Sequence, residues 1–314
     1  MIILMGLLVG GSIFWMAGKN KDGERKEAVS ADETDYHTMT VDGKTYRYNT
    51  SRVNFLFVGV DGAAESMEGQ ADVIFLVSCD RASETMDIFS FSRESMVPIK
   101  VFDAAGNALG WERQHLGLAY SYGDDPQQGC LLTADAVSRC MNGIPIIYYT
   151  AANLSSITEF QNLVGELTVT VPGMDLADLG EEYEQGKELT LDASNVEVFL
   201  RSRDTETAYS NSSRMERQRV YVEAYVAKLK QQLEESFQQT VEKILALSQK
   251  VATNVSLDEI SPFSEMFLTY SFSEENYHVV PGTNQEGMFH DEYIIDEEAL
   301  QTLLLDTFYI EETE

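Results

Sequence analysis

Four arginines lie close together in the stretch RSRDTETAYSNSSRMERQ, which covers residues 201–218. They are Arg201, Arg203, Arg214 and Arg217. Arg214 and Arg217 have the i, i+3 spacing of one helix face, and Gln218 adjoins Arg214 at i, i+4. Guanidinium groups can bind phosphate oxygens through two parallel hydrogen bonds. The stretch therefore predicts an anion site of the kind that binds phosphate groups.

The chain as a whole is acidic, with 52 Asp+Glu against 22 Lys+Arg and a formal net charge of -30 at pH 7. This balance argues against a nucleic-acid partner, because phosphate backbones bind to a net basic face. The acidic balance also permits an alternative to the anion site. In this alternative, nearby acids neutralise the arginines, which then only stabilise the start of a helix. Those acids are Asp204, Glu206 and Glu216. The spacing alone fits both interpretations equally well.

Two aspartates and another arginine stand at the ends of apolar segments. Asp61 follows VGV, Asp72 precedes VIFLVS, and Arg93 follows an apolar segment of its own. Carboxylates at the ends of adjacent strands can converge, and their hard oxygens suit Mg²⁺ beside a phosphate. The alternative, which the spacing alone favours, is that Asp61 begins a turn and Asp72 begins a strand. Arg93 lies where open α/β sheets commonly bind ligands, outside a strand end.

Other chemistry has little support in the residues. The four histidines form no cluster with Cys or acids at metal-ligand spacing, and the sequence contains no GxSxG, P-loop, Rossmann fingerprint or HExxH motif. An odd number of cysteines argues against a disulfide framework. They are Cys79, Cys130 and Cys140. Serine-hydrolase, dinucleotide-binding and zinc-protease functions are therefore not expected.

Alternating strands and helices must position these side chains. Continuous apolar segments predict strands that are buried on both faces, at 54–60, 73–78, 86–92 and 144–149. Helical spacing predicts helices at 131–141, 157–164, 214–248 and 296–308. This order predicts an α/β fold, a three-layer α/β/α sandwich with a central mixed sheet.

Local signals mark several boundaries of these elements. Asp42-Gly43 favours a type I′ turn in a hairpin over residues 39–48. Ser156 with Glu159, and Ser256 with Glu259, have the spacing of capping boxes at helix starts. We therefore expect a hairpin and two capped helices at these positions.

Residues 1–18 carry no charge and predict a transmembrane helix or the core of a signal peptide. No convincing cleavage site follows, which favours an uncleaved N-terminal membrane anchor. The nearest basic residues follow this segment instead of preceding it, and the positive-inside rule alone would keep that flank in the cytoplasm. They are Lys19, Lys21, Arg25 and Lys26. A cytoplasmic leader missing from the chain would reconcile these signals, so the sequence leaves the topology open.

Eight segments in a fixed order resemble the LytR–CpsA–Psr family of membrane-anchored cell-wall enzymes. They are NFLFVGVD at 54–61, GQADVIFLVS at 69–78, FSFSRESMVPI at 89–99, LAYSYG at 118–123, GIPIIYY at 143–149, LVGELTVTVP at 163–172, LRSRD at 200–204 and SRMERQ at 213–218. The resemblance covers about residues 53–228, and a PGT…DEEALQTLL tail also occurs among relatives. Together the segments are far more specific than any one motif.

The resemblance implies a single-pass protein of the cell membrane whose catalytic domain is extracellular. Such an enzyme moves a glycopolymer phosphate from a polyprenyl-pyrophosphate carrier to peptidoglycan, and an apolar tunnel holds the lipid tail. It further implies an Mg²⁺ cofactor bound by Asp61 and Asp72, with Asp72 also the candidate base. The residues that match the pyrophosphate site are Arg93, Arg201, Arg203, Arg214 and Gln218. Arg93 and Asp72 are the two candidate catalytic residues.

The sequence departs from the family pattern at several positions. Gln70, a candidate pyrophosphate ligand, replaces the usual arginine two residues before Asp72, and Glu94 replaces the usual aspartate after Arg93. His115 or Arg113 stands where relatives often carry a lysine, and Asn211 and Ser213 replace an aspartate or glycine. A non-catalytic protein that binds polyprenyl phosphate or wall polymer is the alternative function. A transcriptional attenuator is disfavoured by the acidic charge and the expected external topology.

These observations divide the chain into four parts. Residues 1–18 form the transmembrane anchor, and 19–52 a stalk and hairpin. Residues 53–272 form the LytR–CpsA–Psr catalytic domain. Residues 273–314 form an acidic C-terminal extension.

Overall fold

The computed structural model describes residues 28–29, 36–63, 66–204 and 207–312. Its strands are β1 (Thr38–Val41), β2 (Lys44–Tyr48), β3 (Arg52–Asp61), β4 (Gln70–Asp80), β5 (Thr85–Phe91), β6 (Met96–Phe102), β7 (Ala108–His115), β8 (Tyr148–Asn153), β9 (Leu167–Thr170), β10 (Glu188–Leu191), β11 (Ala252–Thr253), β12 (Tyr277–Val279), β13 (Gly282–Glu286), β14 (Asp291–Ile295) and β15 (Tyr309–Glu311). Its α-helices are α1 (Pro126–Cys140), α2 (Ile157–Val164), α3 (Val196–Arg201), α4 (Ser210–Ser248), α5 (Leu257–Thr269) and α6 (Glu297–Phe308).

Six strands form a central mixed sheet in the order β11-β8-β3-β4-β5-β12. The strand β4 pairs antiparallel with both of its neighbours, β3 and β5. The strand β8 runs parallel to β3, and β12 runs parallel to β5. The sequence therefore predicted the fold class correctly, an α/β fold around a mixed sheet.

The sheet is apolar on both faces because helices cover both. Phe55 and Phe57 of β3 join a core that includes Phe160 of α2 and Tyr225 of α4. Leu56, Val58 and Val60 of β3 point to the opposite face of the sheet. They join a second core, which includes residues of α1, α6 and the β6–β7 hairpin. Successive side chains of a strand point to opposite faces, so a strand between two cores needs apolar residues at every position.

Several predicted boundaries agree with the structure, and others differ from it. The Asp42-Gly43 turn is confirmed, with both residues at positive φ between β1 and β2. The capping box of Ser256 and Glu259 at the start of α5 is also confirmed. The capping box at Ser156 is wrong, because its side chain makes no cap and Glu159 pairs with Lys250 instead. The predicted strand 144–149 also begins later, as β8 at Tyr148, after Pro145, which has no N–H for a ladder.

The sequence after residue 272 contributes to the central sheet through β12. The α6 residues Leu300 and Leu304 are buried in the second core.

The predicted anchor, 1–18, lies outside the described residues. Among the residues that are described, no helix combines the length and hydropathy needed to cross a membrane. The three cysteines are free, in agreement with the sequence.

A buried ion pair ties the C-terminal region to the sheet, away from the arginine-rich stretch. Asp87 of β5 accepts a hydrogen bond of 2.8 Å from Arg52 Nη1 and contacts His278 Nε2 at 3.1 Å. Burial raises the pKa of Asp87, but the hydrogen bond from His278 and the charge of Arg52 outweigh burial and hold it below its usual value. This carboxylate therefore stabilises the fold in its ionised form.

We predict that Asp87→Asn lowers the free energy of unfolding by about 3–5 kcal/mol, because it leaves Arg52 buried without its counter-charge. Urea denaturation measures this loss. In the wild type the same contribution is fully present above the unfolded pKa of about 3.9 and disappears as the pH falls through the lower folded pKa.

Glu311→Gln provides the control for this prediction, because it breaks the exposed pair between Glu311 and Lys44. It should change the unfolding free energy by at most about 1 kcal/mol. An equal loss in both variants would contradict the assignment of Asp87 as a buried anchor of the fold.

Candidate functional site

A β-bulge places Asp72 out of line with its strand. Gly59 pairs with Val73 and Val60 pairs with Ala71, so Asp72 is the extra residue of β4 opposite β3. Asp61 ends β3 and pairs with Gln70 at the same edge. A bulge can redirect one side chain while the rest of the strand keeps its pattern. Both predicted aspartates therefore lie at one end of the central antiparallel pair.

Two arginines converge on the Asp72 carboxylate from different elements. Arg214 of α4 donates from Nη1 to Asp72 Oδ2 at 2.8 Å, and Arg93, which follows β5, forms an ion pair with Oδ1. Arg214 also donates to Asn211 Oδ1 at 2.7 Å, and Asn211 donates to Ser92 Oγ at 3.1 Å. Asp72 is 8% exposed and Arg214 4%, so this is a buried ion-pair network.

The other two predicted arginines lie nearer the surface. Arg201, at the end of α3, donates to Asp61 Oδ1 at 2.8 Å and to Glu197 Oε1 at 2.6 Å. Arg203 contacts Glu94 Oε1 at a longer distance, 3.4 Å. Their side chains are 33% and 26% exposed, respectively, so a ligand from solvent can reach both.

Burial and mutual repulsion destabilise the charges in this cluster. Burial, followed by the charge of Arg203, lowers the pKa of Arg214 to about 10. Burial, followed by the charges of Arg214 and Arg203, lowers the pKa of Arg93 as well. Both side chains remain cationic at neutral pH, where an incoming anion would offset the repulsion between them. The cluster thus has the electrostatics of an anion site.

Arg217 is different from the four arginines of this cluster. It is fully buried and donates to the backbone oxygens of Phe199 and Ser202. It also pairs with Asp175 Oδ2 at 3.0 Å. Burial lowers the pKa of Arg217. Arg217 thus has a structural role, since it joins α3 to α4, but its acidic partner is Asp175, which the sequence did not indicate.

Gln218 lines a narrow apolar cavity beside the arginines. The cavity has a volume of about 40 Å³, room for only about three water molecules. It lies among α2, α3, α4 and β4, and Arg201 and Arg214 are at its polar end. Its apolar lining consists of Val73, Phe75, Leu154, Ile157, Leu200, Tyr221 and Val222.

The positions that depart from the family pattern lie around the cluster. Gln70 Oε1 is 3.5 Å from Arg93 Nη2, the longest hydrogen bond of this group. His115, at the end of β7, has its ring 6.3 Å from that of His290, and burial lowers the pKa of His115. Arg113 is on the same hairpin, two residues before His115.

Two residues of the cluster were not predicted from the sequence, the acid Glu197 and the amide Asn211. Glu197 pairs with Arg201 at i, i+4 on α3, a spacing from which the pair could have been predicted. Asn211 orients Arg214 at i, i+3 on α4, a contact that was missed because the helix was predicted to begin only at residue 214. Within the described ranges, no group of three His, Cys, Asp or Glu side chains is arranged to hold a metal ion.

Comparison with known proteins gives a consistent result. A curated relative from Enterococcus faecalis (strain ATCC 700802 / V583) is named polyisoprenyl-teichoic acid–peptidoglycan teichoic acid transferase TagU. It is 23% identical over 296 residues, which cover 93% of this chain and 88% of the relative. The crystal structure of B. subtilis TagV has a TM-score of 0.60 at 19% identity, over 82% of this chain and 96% of that one.

A structure of TagT bound to LIIa-WTA also has a TM-score of 0.60 at 19% identity, over 88% of this chain and 97% of that one. These structural similarities show that the fold is shared. The model of the LytR_cpsA_psr family matches residues 12–306. Because this match covers nearly the whole sequence, the chain belongs to the LytR–CpsA–Psr family.

Proposed function

We propose that this protein is a transferase that moves a glycopolymer phosphate from a polyprenyl-pyrophosphate carrier to peptidoglycan. The observation that supports this most is the convergence of four guanidinium groups and two strand-end aspartates at the polar end of an apolar cavity. The names of the relatives support it too, since the Enterococcus faecalis relative is a teichoic acid transferase that acts on peptidoglycan. TagT binds LIIa-WTA, a wall teichoic acid precursor.

The arginines bind and orient the donor pyrophosphate. Arg201 and Arg203, which solvent can reach, take the first contacts with its oxygens. Arg93 and Arg214 lie deeper, where low solvent exposure strengthens their attraction for charge that develops on the leaving phosphate. Such a preorganised arrangement is the main way in which proteins accelerate phosphoryl transfer. Gln218, at the cavity wall, adds a polar contact beside Arg214.

Asp61 and Asp72 are the residues that would hold Mg²⁺. Their hard carboxylate oxygens fit this ion, and the side chain of Asp61 is 45% exposed. Because Mg²⁺ commonly takes most of its ligands from substrate phosphates and water, two protein carboxylates are enough. When bound, the ion would neutralise phosphate charge and stabilise the transferred group.

The apolar cavity is the proposed site for the first part of the lipid tail. A volume of about 40 Å³ is too small for a prenyl chain, so the cavity would have to widen when the donor binds. Its polar end would put the attached pyrophosphate next to Arg201 and Arg214.

We also propose that residues 1–18 anchor the chain in the cell membrane as a single span, with the catalytic domain outside the cell. Their lack of charge supports the span. Protease added to intact cells should remove the folded domain and leave the N-terminal segment in the membrane fraction. A domain that stays protected until the cells are lysed would contradict this topology.

A non-catalytic lipid-binding protein is the second candidate function. Gln70 favours it, because a neutral side chain at this position leaves the pocket with one positive charge fewer. Mass spectrometry of lipid retained by the detergent-purified protein distinguishes the two functions when it is combined with a transfer assay. Retained polyprenyl phosphate without any transfer in the presence of Mg²⁺ would favour the binding protein.

We predict that Arg201→Ala lowers transfer of a labelled glycan to peptidoglycan by at least about 100-fold, because one of the guanidinium groups that bind the pyrophosphate is lost. Its thermal unfolding midpoint should stay near that of the wild type, since Arg201 is at the surface of the cluster. Arg47→Ala is the control, because Arg47 pairs with Glu312 at an exposed position. Equal transfer by wild type and Arg201→Ala would remove the pocket assignment.

We predict that Asp61→Asn raises the Mg²⁺ concentration needed for donor binding by at least about tenfold, the lower end of losses seen when a metal site is disturbed. Fluorescence titration with a polyprenyl-pyrophosphate analogue measures binding without turnover. In the absence of Mg²⁺ the variant should bind at least as well as the wild type, because the substitution removes a negative charge that pairs with Arg201. An unchanged Mg²⁺ dependence would exclude Asp61 as a ligand.

A further inference from the structure

The proposed transfer needs a group that accepts the proton of the attacking hydroxyl, and Asp72 is poorly placed for it. Arg93 pairs with its Oδ1 and Arg214 with its Oδ2, so cations occupy both oxygens. If the donor pyrophosphate draws Arg93 and Arg214 away, the two carboxylate oxygens of Asp72 become the proposed ligands of Mg²⁺. In either state the lone pairs of Asp72 are committed to positive charge, which makes a carboxylate a weak base.

Glu94 is another carboxylate of the cluster, and its environment differs from that of Asp72. It is 7% exposed, and its Oε2, like Asp72 Oδ1, is buried without a hydrogen-bond partner among the described residues. Asp72 Oδ1 nevertheless lies in ion-pair contact with Arg93. Glu94 Oε1 has one contact, with Arg203 Nη1 at 3.4 Å. A buried carboxylate oxygen without a donor is unusual, because burying a polar group without a hydrogen bond costs free energy.

The backbone holds Glu94 rigidly next to the arginines. Its N–H donates to Ser92 Oγ at 3.2 Å, and its carbonyl accepts from the N–H of Tyr293 in β14 at 2.9 Å. The preceding residue is Arg93. A short, fixed turn therefore carries one phosphate-binding arginine and one unsatisfied carboxylate side by side.

We propose that Glu94 is the catalytic base that accepts the proton of the acceptor hydroxyl. This inference rests on the proposed function, because it needs the pyrophosphate donor to engage Arg203. Once a phosphate draws Arg203 away, the Glu94 carboxylate loses the one side-chain hydrogen bond that it has among the described residues and becomes available to the acceptor. A hydroxyl group of the acceptor sugar then supplies the hydrogen bond that Oε2 lacks.

The proton and electrons balance in this step. The acceptor oxygen forms a bond to the phosphorus that carries the glycan, while its O–H bond breaks and the proton passes to Glu94 Oε2. The bridging P–O bond of the pyrophosphate breaks, and polyprenyl phosphate leaves with the electron pair. Glu94 then returns the proton to the leaving phosphate or to water, and no oxidant or reductant takes part.

The electrostatics of Glu94 are consistent with this role. Burial raises the pKa of Glu94 even though Arg203, Arg93 and Arg214 lower it, and the nearby charge of Asp291 raises it further. A base with a pKa nearer the working pH removes a proton more effectively than an ordinary carboxylate. The group must be ionised to act, so the turnover number should fall as the pH drops through this raised pKa.

The test measures the turnover number against pH with the full-length protein in detergent, a polyprenyl-pyrophosphate-linked glycan and peptidoglycan fragments. We expect Glu94→Gln to lower the turnover number by at least about 100-fold and to lose the acidic limb of the profile. Donor affinity, from fluorescence titration, should stay close to that of the wild type. Glu94→Asp should recover part of the activity and keep the acidic limb.

Two further variants separate a catalytic role from a structural one. Asp291→Asn should move the acidic limb to lower pH, because it removes a charge that raises the pKa of Glu94. Glu112→Gln is the control, since the Glu112 side chain accepts a hydrogen bond from Gln114 on the same strand, β7, and the variant should leave the profile unchanged.

Turnover of Glu94→Gln at the wild-type level, or an acidic limb that persists in this variant, would overturn the inference. If Glu94→Gln does not fold, an acidic limb that fails to move in Asp291→Asn overturns it instead. A wild type that transfers no glycan would reject the proposed function itself, so the two failures can be told apart.

Discussion

The paired contacts of Asp72 with Arg93 and Arg214 are the interaction on which the site depends. They join three parts of the fold, because Asp72 is on β4, Arg93 follows β5 and Arg214 is in the first turns of α4. Removing one partner of a buried ion pair commonly costs about 3–5 kcal/mol, since the remaining charge stays buried. The pair therefore fixes the position of α4 against the sheet edge and keeps two guanidinium groups at the polar end of the cavity.

This arrangement is electrostatically unfavourable without a ligand. Arg214 has a pKa lowered to about 10, mainly by burial, and Arg203 adds to the repulsion. Glu94 retains a buried oxygen without a hydrogen bond. Charged groups with shifted pKa values and buried polar atoms without hydrogen bonds are typical of functional sites, where a bound substrate supplies the missing charge or hydrogen bond. A doubly charged pyrophosphate and a sugar hydroxyl would supply both.

The chain as a whole is strongly acidic, whereas the site gathers four arginines. A net charge of -30 repels anionic surfaces. At the site, four acids pair with the arginines, and they are Asp61, Asp72, Glu94 and Glu197. The site is therefore close to neutral within a chain that is otherwise strongly negative.

The sequence by itself determined the sheet, the helices and the family. Continuous apolar segments such as 54–60 predict buried strands, and the Asp42-Gly43 turn and the Ser256–Glu259 box depend only on neighbouring residues, so local physics was enough. The tertiary structure decided the rest. The bulge that redirects Asp72 comes from the pairing of β3 with β4. Arg214 pairs with Asp72 and Arg217 with Asp175, and these different partners depend on which element each arginine contacts. At Ser156 a distant Lys250 attracted Glu159 away from the predicted cap. Such contacts join residues far apart in the chain, and no local pattern records them.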